Sequence, residues 1–220
     1  MGVTAMFIRA TRVQGPPNKA QEAIQNYETN ILKRVRSTPG NQGAVLLLNR
    51  QTGAGLGISY WESAKALAAS EQMGIQTRAQ SAKDVPGTQI VNVERAELMI
   101  MDRAADAKVG TFVRLVTITG DPEKLDAAIV HIRNHSLPIA KALKGYRALV
   151  AAVDRQTGRL SASTTWDTMA DLDDSELNMA GTRAEAAKIA GGGPSDMQVE
   201  IFESVVVDLS AVTAKTTTKA

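Results

Sequence analysis

The sequence predicts an α+β protein made of two tandem copies of one strand–helix–strand–strand–helix–strand unit, whose sheets come together within the chain as a barrel. Three observations lead there: a long internal repeat, an apolar periodicity that switches between strand and helix in the same order in each half, and a sheet that needs a partner. In the repeat, Asn49-Arg50-Gln51-Thr52-Gly53, Trp61-Glu62-Ser63, Ser70-Glu71 and Thr77-Arg78-Ala79-Gln80 each return. Their second copies are Asp154-Arg155-Gln156-Thr157-Gly158, Trp166-Asp167-Thr168, Ser175-Glu176 and Thr182-Arg183-Ala184-Glu185. Every pair lies about 105 positions apart with no gap, and a fixed period of that size marks a duplicated domain-sized unit. The same register pairs Phe7 with Phe112, Arg9 with Arg114, Gly15 with Gly120, Pro17 with Pro122 and Gly40 with Gly145. Over residues 6 to 83 roughly 22 of about 78 positions are identical, where unrelated chains would share on the order of 5.

Residues 6 to 13 read as a strand whose apolar run is interrupted by Arg9 and Arg12. Gly15-Pro16-Pro17 ends it, and Pro17 suits the first turn of a helix, where its missing N–H costs nothing. Ala20, Ala23, Ile24, Tyr27, Ile31 and Val35 then recur at helical spacing on one face, until Pro39-Gly40 stops the helix. In the second copy Asp121-Pro122 starts the helix, and Leu125, Ala128, Ile129, Ile132, Ile139 and Leu143 form the stripe. Ala44 to Leu48 is a near-continuous apolar run, the pattern of a strand buried on both faces. It meets the strand Leu56 to Trp61 across Asn49 to Gly53, a loop opened by Asn and closed by a Gly able to take positive φ. Ser63 and Thr168 are placed to cap the next helix, and Asp171 completes a capping box in the second copy. Thr77 with Gln80 and Thr182 with Glu185 repeat that pattern, which predicts a further short helix. A loop follows, four residues longer in the second copy, and Ile90 to Met101 and Val199 to Leu209 are the closing strands.

That order is the ferredoxin-like βαββαβ arrangement, a four-stranded antiparallel sheet with helices on one face only. The bare face must be hidden, and two copies laid together hide it. The expected organisation is a first repeat over 1–100, a linker over 101–110, a second repeat over 111–209 and a disordered tail over 210–220.

Composition narrows the function classes. The chain of 220 residues is 44% hydrophobic and 22% charged, an ordinary soluble balance. Its net charge of +2 is scattered, without a basic face interleaved with aromatics, so no nucleic-acid partner is expected. Cysteine is absent, which excludes disulfides, thiolate catalysis and thiolate metal sites. The first residues lack a basic segment followed by an apolar run, and no stretch has the length of a membrane span. A cytoplasmic protein with no membrane partner is expected.

A strand ending in Trp-Glu-Ser (61 to 63) or Trp-Asp-Thr (166 to 168) before an Ala-rich helix, with Ser37-Thr38-Pro39-Gly40 ahead of a strand and hairpin, resembles the antibiotic-biosynthesis-monooxygenase-like domains of the dimeric α/β barrel superfamily. The resemblance covers nearly the whole chain. Such domains usually pair as homodimers, so this chain looks like the fused version, an intramolecular pseudo-dimer; further association of whole chains is left open. The resemblance implies one of three activities: cofactor-independent oxygenation of aromatic substrates, haem degradation, or small-molecule binding without known catalysis. Haem-degrading members pair the strand-end Trp with an Asn on the first strand and a His on the following helix. Those positions fall near Ile8 and Val113, and near Ser70 and Ser175. Without the imidazole, haem iron lacks its expected donor, which argues against haem and for no cofactor.

The candidate site residues are Trp61, Trp166, Arg9, Arg114, Glu94 and Glu203. Each Trp is either an apolar anchor closing the sheet end or the wall of a ligand cleft. Arg9 and Arg114 sit mid-strand among apolar residues and need carboxylate partners, for which the closing strands offer Glu94 and Glu203. They are either structural ion pairs or charges that orient a substrate. Arg78 and Arg183 read as solvated or surface-paired arginines. His131 and His135 stand four apart on a helix with no third ligand in view, so no metal is expected. No residue stands out as catalytic. The first expectation is a monooxygenase-like protein enclosing a small, largely apolar molecule; the alternatives are a non-catalytic binding or structural module, and a haem-binding protein. Tyr60 against Thr165 and the Gly-rich loop at 191 to 194 predict two inequivalent clefts.

Overall fold

The computed structural model describes residues 5–209 and 211–212. The first repeat runs β1 (Phe7–Gln14), α1 (Ala20–Asn26), α2 (Leu32–Arg36), β2 (Asn41–Leu48), β3 (Ala54–Trp61), α3 (Ala64–Ala69), α4 (Glu71–Asp84) and β4 (Gln89–Arg103). The second runs β5 (Phe112–Thr119), α5 (Leu125–His131), α6 (Leu137–Ala142), β6 (Tyr146–Asp154), β7 (Arg159–Trp166), α7 (Met169–Asp174), α8 (Glu176–Ile189) and β8 (Met197–Asp208). No helix among the described residues is long and apolar enough to cross a membrane. The tail expected to be disordered lies outside the described residues except for Ala211 and Val212, and Val212 is buried.

The hydrogen-bonded strand order β1-β3-β2-β8-β5-β7-β6-β4 closes on itself as a barrel, the α+β class of two tandem ferredoxin-like units. Each of the two long strands runs from one unit into the other. Beyond Ala96, β4 pairs antiparallel with β6, as in Leu98↔Ala152 and Asp102↔Leu149. The end of β8 pairs antiparallel with β2, as in Val45↔Val207 and Leu48↔Glu203. Two compact units result. Of the described residues, one holds Ala96–Ile201 and the other holds 5–95 together with 202–209 and 211–212. They are called below the second and first unit, after the repeat each contains.

In the first unit the apolar stripe of the opening helix is interrupted by a π-helical turn at Tyr27–Ile31. Tyr27, Ile31 and Val35 are spaced by four, and such a row drifts around an α-helix of 3.6 residues per turn. One wider turn takes up the drift. The second unit repeats this at Ile132–Ser136. Ile24, Tyr27, Leu46, Leu48, Val205 and Val206 form one core here, and Leu125, Ile129, Leu149, Leu160, Trp166 and Leu172 lie in that of the second unit.

The hairpin loops follow the predicted chemistry in both copies. Asn49 Oδ1 accepts from Gln51 N at 3.0 Å, and Asp154 Oδ1 from Gln156 N at 2.9 Å. Gly53 and Gly158 close these loops at φ 75° and 69°. A Cβ on Gly53 would stand 1.9 Å from Gly15 O, so no side chain fits there. Ser63 and Thr168 cap α3 and α7 by accepting from Ala66 N and Asp171 N. The second predicted helix start is corrected. Thr77 and Thr182 lie inside α4 and α8, and the chain breaks instead at Ser70 and Ser175, both 1% exposed. Thr77 Oγ1 bonds Met73 Sδ at 3.3 Å, so a capping pattern read from sequence is here a buried mid-helix hydroxyl satisfied by its own helix.

Candidate functional site

Side chains alternate along β1, so Arg9, Thr11 and Val13 share one face and Ile8, Ala10 and Arg12 the other. The first set lines a partly open cavity of about 120 Å³ between the sheet and the helices of the first unit. Its body is apolar: Ile31, Leu46, Leu48, Met73 and Val85 line it, with the Tyr27 ring. Tyr27 Oη donates to Val45 O at 3.0 Å, and burial, reinforced by Tyr60, pushes its phenol up. It is a hydrogen-bonded wall, not an ionising group.

The polar end is built by arginines. Arg9, only 4% exposed, donates through Nη2 to Leu67 O and to Glu71 Oε2, both at 2.9 Å. Arg78 Nη2 donates to Glu71 Oε1 at 3.1 Å, and Arg95 reaches Glu71 Oε2 through Nη2 at 2.7 Å. Three guanidiniums thus share one carboxylate, leaving two positive charges beside an apolar cavity. Burial alone would raise the Glu71 carboxyl, but bonds and charge from Arg95, Arg9 and Arg78 outweigh it and hold the group at about 2. Desolvation lowers the Arg9 pKa, with Glu71 opposing and Arg78 and Arg95 adding to the fall. Gly74 makes this crowding feasible: a Cβ there would meet Arg9 Nη1 and Arg78 Nη1 at 3.0 Å each.

The partners expected for the strand arginines are corrected. Arg9 pairs with Glu71 and not with Glu94; Arg114 pairs with Glu176 at 3.1 Å and not with Glu203. Glu94 faces Arg12 at 3.5 Å, and Glu203 binds Arg50 at 2.6 Å. The reason is strand parity: Arg9 and Arg114 point toward the helices, where the first turns of α4 and α8 offer Glu71 and Glu176. Arg78 is also no surface residue, since its side chain is 15% exposed and lines the cavity. Glu71 and Glu176 had recurred in the sequence repeat, and that recurrence was the signal for them. Gly74 and Arg95 have no counterpart of the same type in the second copy and gave none.

Trp61 and Trp166 are both 0% exposed, and neither is in the lining of the cavity beside the strand arginine of its own unit. Their indole N–H groups donate to Ser59 Oγ and Thr164 Oγ1 at 3.0 Å, two residues back on the same strand. The Arg9 guanidinium lies over the Trp61 ring, 5.6 Å from its centroid, so Trp61 stands behind Arg9 and touches the cavity's polar end only through it. Trp166 instead meets Tyr146 edge-on at 5.9 Å.

The second unit's cavity is about 40 Å³. Met179, 3% exposed, stands where the first copy has Gly74, and Leu149 stands where it has Ala44. Both line the smaller space and fill it. Arg114 Nη1 donates to Ser175 Oγ at 2.8 Å, and Arg183 shares Glu176 with it. No third arginine joins them there among the described residues, because Ile201 stands where the first copy has Arg95. His131 Nε2 bonds Thr182 Oγ1 at 3.0 Å and stacks on His135 at 4.9 Å. Among the described residues no three potential metal ligands gather.

Known proteins with this fold share its architecture at low identity. An anthrone oxidase-like protein superposes with a TM-score of 0.68 at 11% identity, covering 98% of this chain and 97% of its own. A candidate monooxygenase of Fusobacterium nucleatum subsp. nucleatum gives 0.68 at 13%, covering 94% and 96%. Among curated sequences, an uncharacterized protein of Mycobacterium tuberculosis is 26% identical over 191 residues, 87% of this chain and 84% of its own. A second from that organism is 23% identical over 206 residues, 93% and 84%. No protein-family model matches the chain. The fold is the one these solved structures share, with the two copies of the repeat carried here by one polypeptide.

Proposed function

We propose that the first unit encloses a small, largely apolar molecule in the cavity beside Arg9, and that the protein acts there as a cofactor-independent monooxygenase on a readily oxidised ring. The observation that carries this is an apolar cavity closed at one end by a buried arginine. Its size limits the substrate. A dry protein cavity of about 150 Å³ accommodates benzene, so a partly open one of about 120 Å³ limits the ligand to at most one ring and is far too small for a tetrapyrrole. The lining also offers no imidazole to a haem iron. We therefore read the cofactor as none.

In the proposed reaction a phenol is converted to a quinone. One atom of dioxygen enters the ring as the new carbonyl, and the other leaves as water with the phenolic hydrogen and one ring hydrogen. The substrate supplies all four electrons. The cavity holds no carboxylate or imidazole to act as base, so the contribution of the chain is electrostatic. Arg9 and Arg78 favour the electron-rich phenolate, and the apolar walls hold it in a dry, fixed pose.

Oxygen uptake with electron-rich single-ring phenols is the direct test. The expected result is quinone formed in proportion to oxygen consumed, reduced in Arg78→Gln. Oxygen consumption no faster than in buffer across the panel would overturn the catalytic reading. Binding without turnover is the second reading, favoured by the missing base; in that case phenols bind the cavity unchanged.

A further inference from the structure

We propose that the natural ligand of the first unit's cavity carries a carboxylate, held between Arg9 and Arg78 over Gly74, with a single ring or short branched chain filling the apolar body. The inference rests on the reading of this cavity as a ligand site and adds the ligand's charge.

Arg9 is almost wholly buried, and its Nε has no hydrogen-bond partner. Burying a guanidinium is costly unless its donors are used. Its Nη2 is used twice, but Glu71 must serve Arg78 and Arg95 as well. The Nη1 atoms of Arg9 and Arg78 each lie 3.0 Å from the point where a Cβ on residue 74 would stand, hence within about 6 Å of one another. Neither makes a hydrogen bond among the described residues. Two donors converging on one space in the lining of an apolar cavity fit a group with two acceptor oxygens and a negative charge. A carboxylate matches that spacing and neutralises one of the two excess charges. A neutral hydroxyl leaves both, and an ammonium adds a third.

The second unit keeps the two arginines and their carboxylate, Arg114, Arg183 and Glu176, but lacks the opening and the third arginine. Met179 occupies the space above α8 that Gly74 leaves open above α4, and the uncharged Ile201 stands in place of Arg95. One carboxylate ligand per chain is therefore expected.

The test compares 3-phenylpropionate, 3-phenylpropanol and 3-phenylpropylamine, one apolar body with three charges, by calorimetric titration of the full chain. The carboxylate should bind at least about tenfold more tightly than the alcohol, the gain of one charge-assisted hydrogen bond. The amine should show no binding. Two variants pull in opposite directions. Arg78→Gln should weaken the carboxylate about tenfold, and Glu71→Gln, which frees donors, should tighten it several-fold; neither should change the alcohol. An alcohol that binds as well as the acid, or variants that shift both ligands alike, would overturn the carboxylate assignment while leaving the cavity reading intact. No binding by any of the three would overturn the cavity reading and this proposal with it.

Discussion

Glu71→Gln should destabilise the protein in a pH-dependent way. Glu71 is the one carboxylate shared by Arg9, Arg78 and Arg95. A carboxyl held at about 2 in place of its ordinary 4.5 gains about 3 kcal/mol from its surroundings, at about 1.4 kcal/mol per pH unit. Its side chain is 30% exposed, and solvent screening reduces that to about 1–2 kcal/mol. The folded pKa is depressed, so the stabilisation is complete above the unfolded pKa near 4.5 and is lost as pH falls toward 2. Urea denaturation of the wild type and Glu71→Gln at pH 7, 4 and 2.5 reads the difference directly. It should be about 1–2 kcal/mol at pH 7 and shrink steadily below pH 4.5. A difference under about 0.5 kcal/mol at pH 7, or one that stays constant down to pH 2.5, would refute the claim that this carboxylate holds the cluster together.

Gly53→Ala forces a Cβ into the left-handed region and onto Gly15 O. The φ alone costs about 1–2 kcal/mol, and the overlap adds to it, so calorimetry should show a clear fall in Tm; an unchanged Tm contradicts the loop geometry. Met179→Ala removes a buried side chain and should cost about 2–4 kcal/mol in denaturant unfolding. The enlarged second cavity should then accept a second, weaker equivalent of phenol; stoichiometry unchanged at one would mean that other side chains close it. Trp61→Phe and Trp166→Phe each lose an indole hydrogen bond worth about 1 kcal/mol. Trp61→Phe also weakens the Arg9 cation–π contact, since phenyl is a poorer partner than indole, by part of its about 0.5–2 kcal/mol, so Trp61→Phe should be the more destabilising, and the reverse order would refute that contact's role.

The fold was legible because duplication prints each structural signal twice. The hairpin Asn or Asp with its Gly, the cap at Ser63 and Thr168, and the helix stripe ending before Gly40 and Gly145 all returned in register, and local chemistry of this kind survives folding unchanged. The long strands β4 and β8 were legible as strands. Their exchange onto β6 and β2 was not, because partner choice depends on contacts far apart in sequence. In the site, Arg9 and Arg114 were visible as cations out of place in apolar strands. Their partners were misplaced because a neighbouring strand is the obvious source of a carboxylate, whereas strand parity aims the side chain at a helix. The π turn at Tyr27, the opening made by Gly74 and its closure by Met179 depend on how a helix lies over the sheet. A glycine in a helix looks the same whether or not an arginine crosses it.

A crystal structure of the protein grown with 3-phenylpropionate tests the central claim most directly. One ligand per chain is expected, its carboxylate between Arg9 and Arg78 and its ring against Tyr27, Leu46 and Leu48. A ring bound in the second unit, or a first cavity found filled by its own side chains, would contradict it.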